Sequence, residues 1–295
     1  SMVGMRKVIL IIRFMTNNYT HILVTIKKIA AISLFFTHNL FALQIGDIAP
    51  DFNASTSLGK LNFYNWSGEN WVILFSHPAD FTPVCTTELA EVAKLQPQFE
   101  KRDVKVLALS SGSVADHLEW IPHINEYKDS LINNDPLIGI IESLSENTDV
   151  RYPIIADEDL SIAMHYGMYH PKAKPNSNSL GSGVKETVRS VFIIDSNKIV
   201  QTILVYPKNI GRNFTEIVRI VDALQLSEKH KVSTPANWEM GDPVIVSNEI
   251  PTEDIKDKYD TREVNIFRNY LKLIDQPDYF EGSKKGKQRS KGGFK

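Results

Sequence analysis

The sequence predicts an α/β layered fold followed by a small C-terminal domain that contains β-structure. Three observations carry this. Short apolar runs rich in β-branched residues recur at Val72–Phe75, Val104–Leu109, Ile154–Ala156 and Val191–Ile194, as strands buried on both faces require. Helical patterns lie between or after them, at Pro83–Lys101, Val114–Lys128, Leu160–Met168 and Phe214–Leu226. Ile199–Val205 follows the turn Asp195-Ser196-Asn197-Lys198, which marks an antiparallel hairpin.

In chain order, residues 1–42 form a basic leader that, like the next few positions, holds no Asp or Glu; it carries Arg6, Lys7, Arg13, Lys27 and Lys28. Its apolar stretches Val8–Ile12 and Ile29–Phe36 fall short of the ~18 residues a membrane span needs. Such a leader reads as a targeting segment, with a signal peptide or an apolar arm packed on the domain as alternatives. As a targeting segment it places the protein in a mitochondrion or another organelle; otherwise the cytosol is the expected compartment, and no stable membrane insertion is expected.

Residues 43–230 form the main domain. Its last helix opens Asn213-x-x-Glu216, close to a capping box, and sets Phe214, Ile217, Val218, Val221 and Leu224 on one face. Two stretches interrupt it: a polar surface insertion near 133–149, and a loop at 171–185 marked by two prolines, Gly181 and Gly183. Residues 231–282 carry short strands such as Val244–Val246, broken by Pro235, Pro243 and Pro251. The tail 283–295 is basic and reads as a solvated end rather than a nucleic-acid arm.

The net charge of −2 gives no reason to expect nucleic acid or an anionic membrane as partner. The eight histidines form no His-Glu-x-x-His, and there is no cysteine pair, so no metal site is indicated. One cysteine in 295 residues excludes an intramolecular disulfide, and with it any redox cycle closed within one chain. A lone cysteine is most often an inert buried hydrophobe, so its surroundings decide.

Those surroundings are His77-Pro78-Ala79-Asp80-Phe81-Thr82-Pro83-Val84-Cys85-Thr86-Thr87-Glu88, where a buried strand ends and a helix begins. Thr82 is a favoured N-cap and Pro83 a favoured first helical residue, which puts Cys85 inside the first turn. Unpaired N–H groups and the positive end of the helix dipole favour thiolate there.

The run resembles the active-site loop of the peroxiredoxins, whose Pro-x-x-x-Thr-x-x-Cys is matched by Pro78, Thr82 and Cys85. The longer string Ser-His-Pro-x-Asp-Phe-Thr-Pro-Val-Cys-Thr-Thr-Glu is similar to the one-cysteine, peroxiredoxin-6-like branch. So are Gly46-Asp47-x-Ala49-Pro50-Asp51-Phe52, Val106-x-Ala108-Leu109-Ser110, Pro153-Ile154-Ile155, Gly211-Arg212-Asn213-Phe214 and Thr234-Pro235-Ala236-Asn237-Trp238.

The resemblance implies a thioredoxin fold with a central mixed sheet and flanking helices, usually as a homodimer. It implies a thiol-dependent peroxidase for hydrogen peroxide and organic hydroperoxides. Cys85 is then the nucleophile, oxidised to sulfenic acid; Thr82 bonds thiolate and peroxide, Pro78 shields the sulfur, and Arg189 holds thiolate and peroxide. Glu88 orients arginines, Arg212 is a second, outer arginine, and His77 lies beside the sulfur. No cofactor is implied beyond an external thiol reductant such as glutathione or a thioredoxin-like protein.

Each residue also has a plainer reading: Arg189 and Arg212 as surface ion-pair partners, Glu88 as a first-turn acid, His77 as a core histidine or half of a Cys–His hydrolase pair. An oligomeric holdase on the same scaffold is the alternative function. Some members of the branch also act as phospholipases, but Asn70, Tyr64 and Asn197 stand where that serine, histidine and aspartate belong, so that activity is expected to be absent.

Overall fold

The computed structural model describes residues 43–133, 149–169, 186–261 and 263–278. The basic leader, most of the insertion, the loop at 171–185 and the basic tail lie outside the described residues.

A seven-stranded mixed sheet forms the centre, in the order β2-β1-β5-β4-β3-β6-β7. Its strands are β1 (Asn53–Thr56), β2 (Gly59–Asn62), β3 (Trp71–Ser76), β4 (Val104–Ser110), β5 (Ile154–Ala156), β6 (Arg189–Ile194) and β7 (Val200–Tyr206). The middle strands β3, β4 and β5 are parallel, β6 and β7 add antiparallel on one side, and the β1–β2 hairpin adds on the other. Parallel neighbours need crossovers, and helices α2 (Pro83–Glu100) and α3 (Val114–Asn133) lie between β3 and β4 and between β4 and β5. Helices α1 (Phe63–Ser67), α4 (Ser161–His165) and α5 (Phe214–His230) complete this unit.

The predicted strands and helices are present, with ends that move by a few residues. The helix expected to stop at Lys128 runs on to Asn133. The helix expected over Leu160–Met168 is the single short turn Ser161–His165, entered from Leu160 in a left-handed conformation (φ 60°). The β1–β2 hairpin and α1 carry no sequence prediction.

Alternation along β3 sorts the core into two layers. Trp71, Ile73 and Phe75 face α2, α3 and α5, where they meet Leu89, Trp120, Ile124, Phe214 and Val221. Val72 and Leu74 face the opposite layer with Phe63, Ile162, Tyr166 and Phe192. Cys85 belongs to the first layer. At the start of α5 the Asn213 side chain caps Glu216 N at 3.1 Å, while Glu216 pairs with Arg219 instead of reaching back, so half of the expected capping box forms.

The C-terminal part builds its own four-stranded sheet in the order β10-β11-β9-β8, from β8 (Val232–Ser233), β9 (Val244–Val246), β10 (Val264–Arg268) and β11 (Leu271–Ile274). Trp238, Val244, Val246, Ile255 from helix α6 (Ile255–Tyr259) and Ile274 fill a separate core beneath it.

Candidate active site

Cys85 stands in the first turn of α2, as its spacing from Thr82 and Pro83 predicts, and is fully buried. Thr82 occupies the N-cap position with extended backbone (φ −112°, ψ 145°), but its side chain makes no cap hydrogen bond. Its hydroxyl instead donates to Ala79 O at 3.0 Å. The expected side-chain cap is therefore replaced by a bond that ties the loop back on itself and leaves the hydroxyl's lone pairs as acceptors. The turn into the helix is made by Phe81 at φ 54°, a left-handed conformation that a bulky residue rarely adopts. Its ring rests against Trp120 and His123, which holds that backbone in place. Pro78 is buried in the same loop.

Around the sulfur the sequence-predicted charges converge. Arg189 opens β6, and its Nη1 lies 3.4 Å from Cys85 Sγ and 2.5 Å from Glu88 Oε2. Its Nε donates to Lys208 O at 2.8 Å, which fixes the plane of the guanidinium. Glu88, one helical turn beyond Cys85, also accepts from Arg212: Nε reaches Oε1 at 2.9 Å and Nη2 reaches Oε2 at 2.7 Å. The Arg212 backbone N–H adds a bond to Oε1 at 2.8 Å. Arg212 Nη1 donates to the carbonyls of Ser76 and Ser190 at 2.9 and 2.8 Å, which joins the end of β3 to the start of β6. The Phe75 and Phe214 rings flank its guanidinium, with centroids 5.1 and 5.4 Å from Cζ. All three charged side chains are 3% exposed or less, so the readings as surface ion pairs fall away.

These buried formal charges sum to one excess positive charge, from two guanidinium groups and one carboxylate. A thiolate at Cys85 cancels it. The Arg189 contact is one that a thiolate accepts more strongly than a thiol, because charge-assisted hydrogen bonds are the stronger kind.

His77 is also fully buried, at the end of β3, with its carbonyl held by Thr187 Oγ1 at 2.7 Å. Its Nε2 lies 3.0 Å from Asp80 Oδ1. Burial pushes the pKa of His77 below the usual histidine value, with Asp80 opposing. Asp80 takes two further contacts, from His117 Nδ1 at 2.5 Å and Ser110 Oγ at 2.9 Å. Burial acts to raise its pKa, but the bonds from His117 and His77 outweigh it and hold the carboxyl well below the ordinary carboxylate range. Asp80 and His117 carry no role in the sequence reading. Asp80 lies inside the motif run, but His117, on α3, reaches it from 37 residues away. No local pattern marks that pairing.

Among the described residues no group of three or more His, Cys, Asp or Glu is placed to hold a metal ion, and no helix is long and apolar enough to cross a membrane.

Fold and site together define a thioredoxin-fold protein with one buried cysteine held against an arginine. A profile of the AhpC/TSA family matches residues 45–203, and one described as the C-terminal domain of 1-Cys peroxiredoxin matches residues 223–262. The chain is 42% identical over 236 residues to a 1-Cys peroxiredoxin of Dictyostelium discoideum, covering 80% of this chain and 86% of that one. It is 42% identical over 240 residues to peroxiredoxin-6 of Gallus gallus, covering 80% of this chain and 99% of the relative. The solved structure of a yeast mitochondrial 1-Cys peroxiredoxin superposes with a TM-score of 0.67 at 40% identity, covering 79% of this chain and 99% of that one. This chain belongs to the AhpC/TSA family, in its 1-Cys peroxiredoxin branch. It is a thiol-dependent peroxidase, and the holdase alternative is not favoured.

Proposed function

We propose that peroxide reduction runs through Cys85: ROOH + Cys85–S⁻ + H⁺ → ROH + Cys85–SOH. The carrying observation is Arg189 Nη1 at 3.4 Å from Cys85 Sγ, in a guanidinium also held by Glu88 Oε2 and Lys208 O. Such a donor is preorganised, so it needs no reorientation as charge moves from sulfur to the leaving oxygen. Thr82, already donating to Ala79 O, has lone pairs left to accept the peroxide's hydrogen. Glu88 and Arg212 hold Arg189 in place, Pro78 keeps water from the sulfur, and His77 closes the loop behind it.

Substrates are hydrogen peroxide and organic hydroperoxides. The sulfenic acid returns to thiol through an external thiol such as glutathione or a thioredoxin-like protein. The yeast mitochondrial relative is described as resolved via glutathione/thioredoxin systems, which supports that reading. We place the protein inside the cell, in a mitochondrion or another organelle where the leader acts as a targeting segment and in the cytosol otherwise. It assembles as a homodimer, and the outer strand β7, with Val205 62% exposed, supports such a pairing.

Phospholipid hydrolysis is absent from this reading. The Tyr64 hydroxyl is bound to Ala49 O at 2.7 Å, and Asn70 and Asn197 supply neither nucleophile nor acid.

The test is intact mass after one equivalent of hydrogen peroxide. We expect a gain of one oxygen in the wild type, none in Cys85→Ser, and return to the starting mass with glutathione. Oxygen gained equally by the Cys85→Ser variant would place the chemistry elsewhere.

A further inference from the structure

Thr82 can accept a hydrogen bond from peroxide only while its own proton points elsewhere. That proton goes to Ala79 O at 3.0 Å, so the direction of one carbonyl sets the direction of the hydroxyl's lone pairs. Residues 77–82 belong to no strand or helix, and no ladder of backbone bonds fixes that carbonyl. Something outside the loop has to hold it.

Asp80, on the far side of the Ala79 peptide, is the residue so held. Its side chain is 5% exposed. Oδ1 takes Ser110 Oγ at 2.9 Å and His77 Nε2 at 3.0 Å, and Oδ2 takes His117 Nδ1 at 2.5 Å. Ser110 ends β4, and His117 stands in the first turns of α3 with its Nε2 3.1 Å from Ile155 O in β5. Asp80 is thereby tied to two elements directly and to a third through His117. Phe81 adds a second anchor on α3: its backbone turns left-handed at φ 54° and its ring packs on Trp120 and His123. The peptides leading from Ala79 to Thr82 are thus fastened to α3 at two successive residues. The group that holds the sulfur is built from other elements, with Glu88 on α2, Arg189 on β6 and Arg212 just before α5.

We propose that Asp80 is a positioning residue for Thr82. Bonded to β4 and α3, it fixes the Ala79 carbonyl, and that carbonyl turns the Thr82 hydroxyl so that its lone pairs face the incoming peroxide. This rests on the peroxidase reading with Cys85 as nucleophile and Thr82 as the acceptor.

Stopped-flow peroxide reduction and the pH profile of Cys85 alkylation, both on the reduced full chain, test it. A carboxylate accepts from all three donors, whereas the amide of Asp80→Asn has one oxygen and an NH₂ that accepts from none. The loop then shifts, and a misplacement of about 1 Å can cost ~10²-fold in rate, so peroxide reduction should slow by roughly 10–100-fold. Alkylation needs the thiolate but not the Thr82 lone pairs, so the midpoint of its pH profile should stay at the wild-type position. In a Thr82→Val background, where no hydroxyl is left to orient, Asp80→Asn should change the peroxide rate by less than about twofold.

An equal slowing in both backgrounds, or an alkylation midpoint that moves with Asp80→Asn, would overturn the proposal, since a merely structural role produces either. Ser110→Ala takes away one of the three bonds and adds no atoms, so it serves where Asp80→Asn does not fold. It should slow peroxide reduction several-fold, and a full wild-type rate there would equally overturn the proposal. Wild-type protein that consumes no peroxide would refute the peroxidase reading instead.

Discussion

Glu88 is the residue on which the site's charges close. One carboxylate, 2% exposed, takes hydrogen bonds from two guanidinium groups and from the backbone of one of them. Removing it and removing Arg189 should therefore have different consequences. Glu88→Gln leaves two buried cations with no carboxylate, and breaking a buried pair from one side costs about 3–5 kcal/mol. Arg189→Met leaves Glu88 paired with Arg212, so its stability loss should be smaller, while the donor to Cys85 is gone. Losing one preorganised donor commonly costs roughly 10²–10³ in rate. Urea unfolding and stopped-flow peroxide reduction on both variants separate the two. An Arg189→Met enzyme within a few-fold of wild type would mean that Cys85 is activated by something else. These residues were legible because each sits in a recognisable local string. The same reading passed over Asp80 and His117, whose partnership exists only once α3 packs beside the loop.

At the scale of elements, the pieces that place Cys85 were the readable ones. The all-apolar β3 and the Thr-Pro entry into α2 announce themselves by period and by capping chemistry. The β1–β2 hairpin does not, because Asn53-Ala54-Ser55-Thr56 lies toward the sheet's edge, is partly exposed, and shows no apolar alternation. Nor does the link from β4 to α3 reveal its constraint. Gly112 there has no left-handed backbone and looks like ordinary loop glycine, yet a Cβ on it would stand 2.6 Å from Asp80 Oδ2 and 3.0 Å from His117 Cε1. Neither neighbour is free to yield, since each is held by the bonds described above. Gly112→Ala should therefore destabilise the protein by about 1–3 kcal/mol, the usual cost of forcing atoms into a filled interior. Chemical denaturation of this variant checks it, and a loss below ~0.5 kcal/mol would show the loop to be more accommodating than its contacts imply.

For the whole molecule the constraint is arithmetic: one cysteine per chain, fully buried in the layer between the sheet and helices α2, α3 and α5. Two such sulfurs would have to leave their pockets and approach to ~2 Å with the proper dihedral geometry to join two chains. A small thiol needs only one of them to emerge. Its attack on Cys85–SOH gives a mixed disulfide and water, and a further thiol then releases Cys85. Even this requires the first turn of α2 to open, because the mixed disulfide attaches a bulky group to a residue with no exposed surface, where peroxide leaves only one oxygen. The resting bond from Thr86 N to Thr82 O, at 3.0 Å, must then break or stretch. Amide hydrogen exchange across residues 83–86 should accordingly be faster in the glutathione-linked protein than in the reduced one, while the strands of the central sheet keep their protection. Non-reducing gels after one equivalent of peroxide should show little covalent dimer. Without added thiol, excess peroxide should carry Cys85–SOH on to the sulfinic acid, since nothing inside the chain traps it. Quantitative Cys85–Cys85 dimers under mild oxidation, or unchanged exchange at the first turn in the mixed disulfide, would show that the sulfur is released by some other movement.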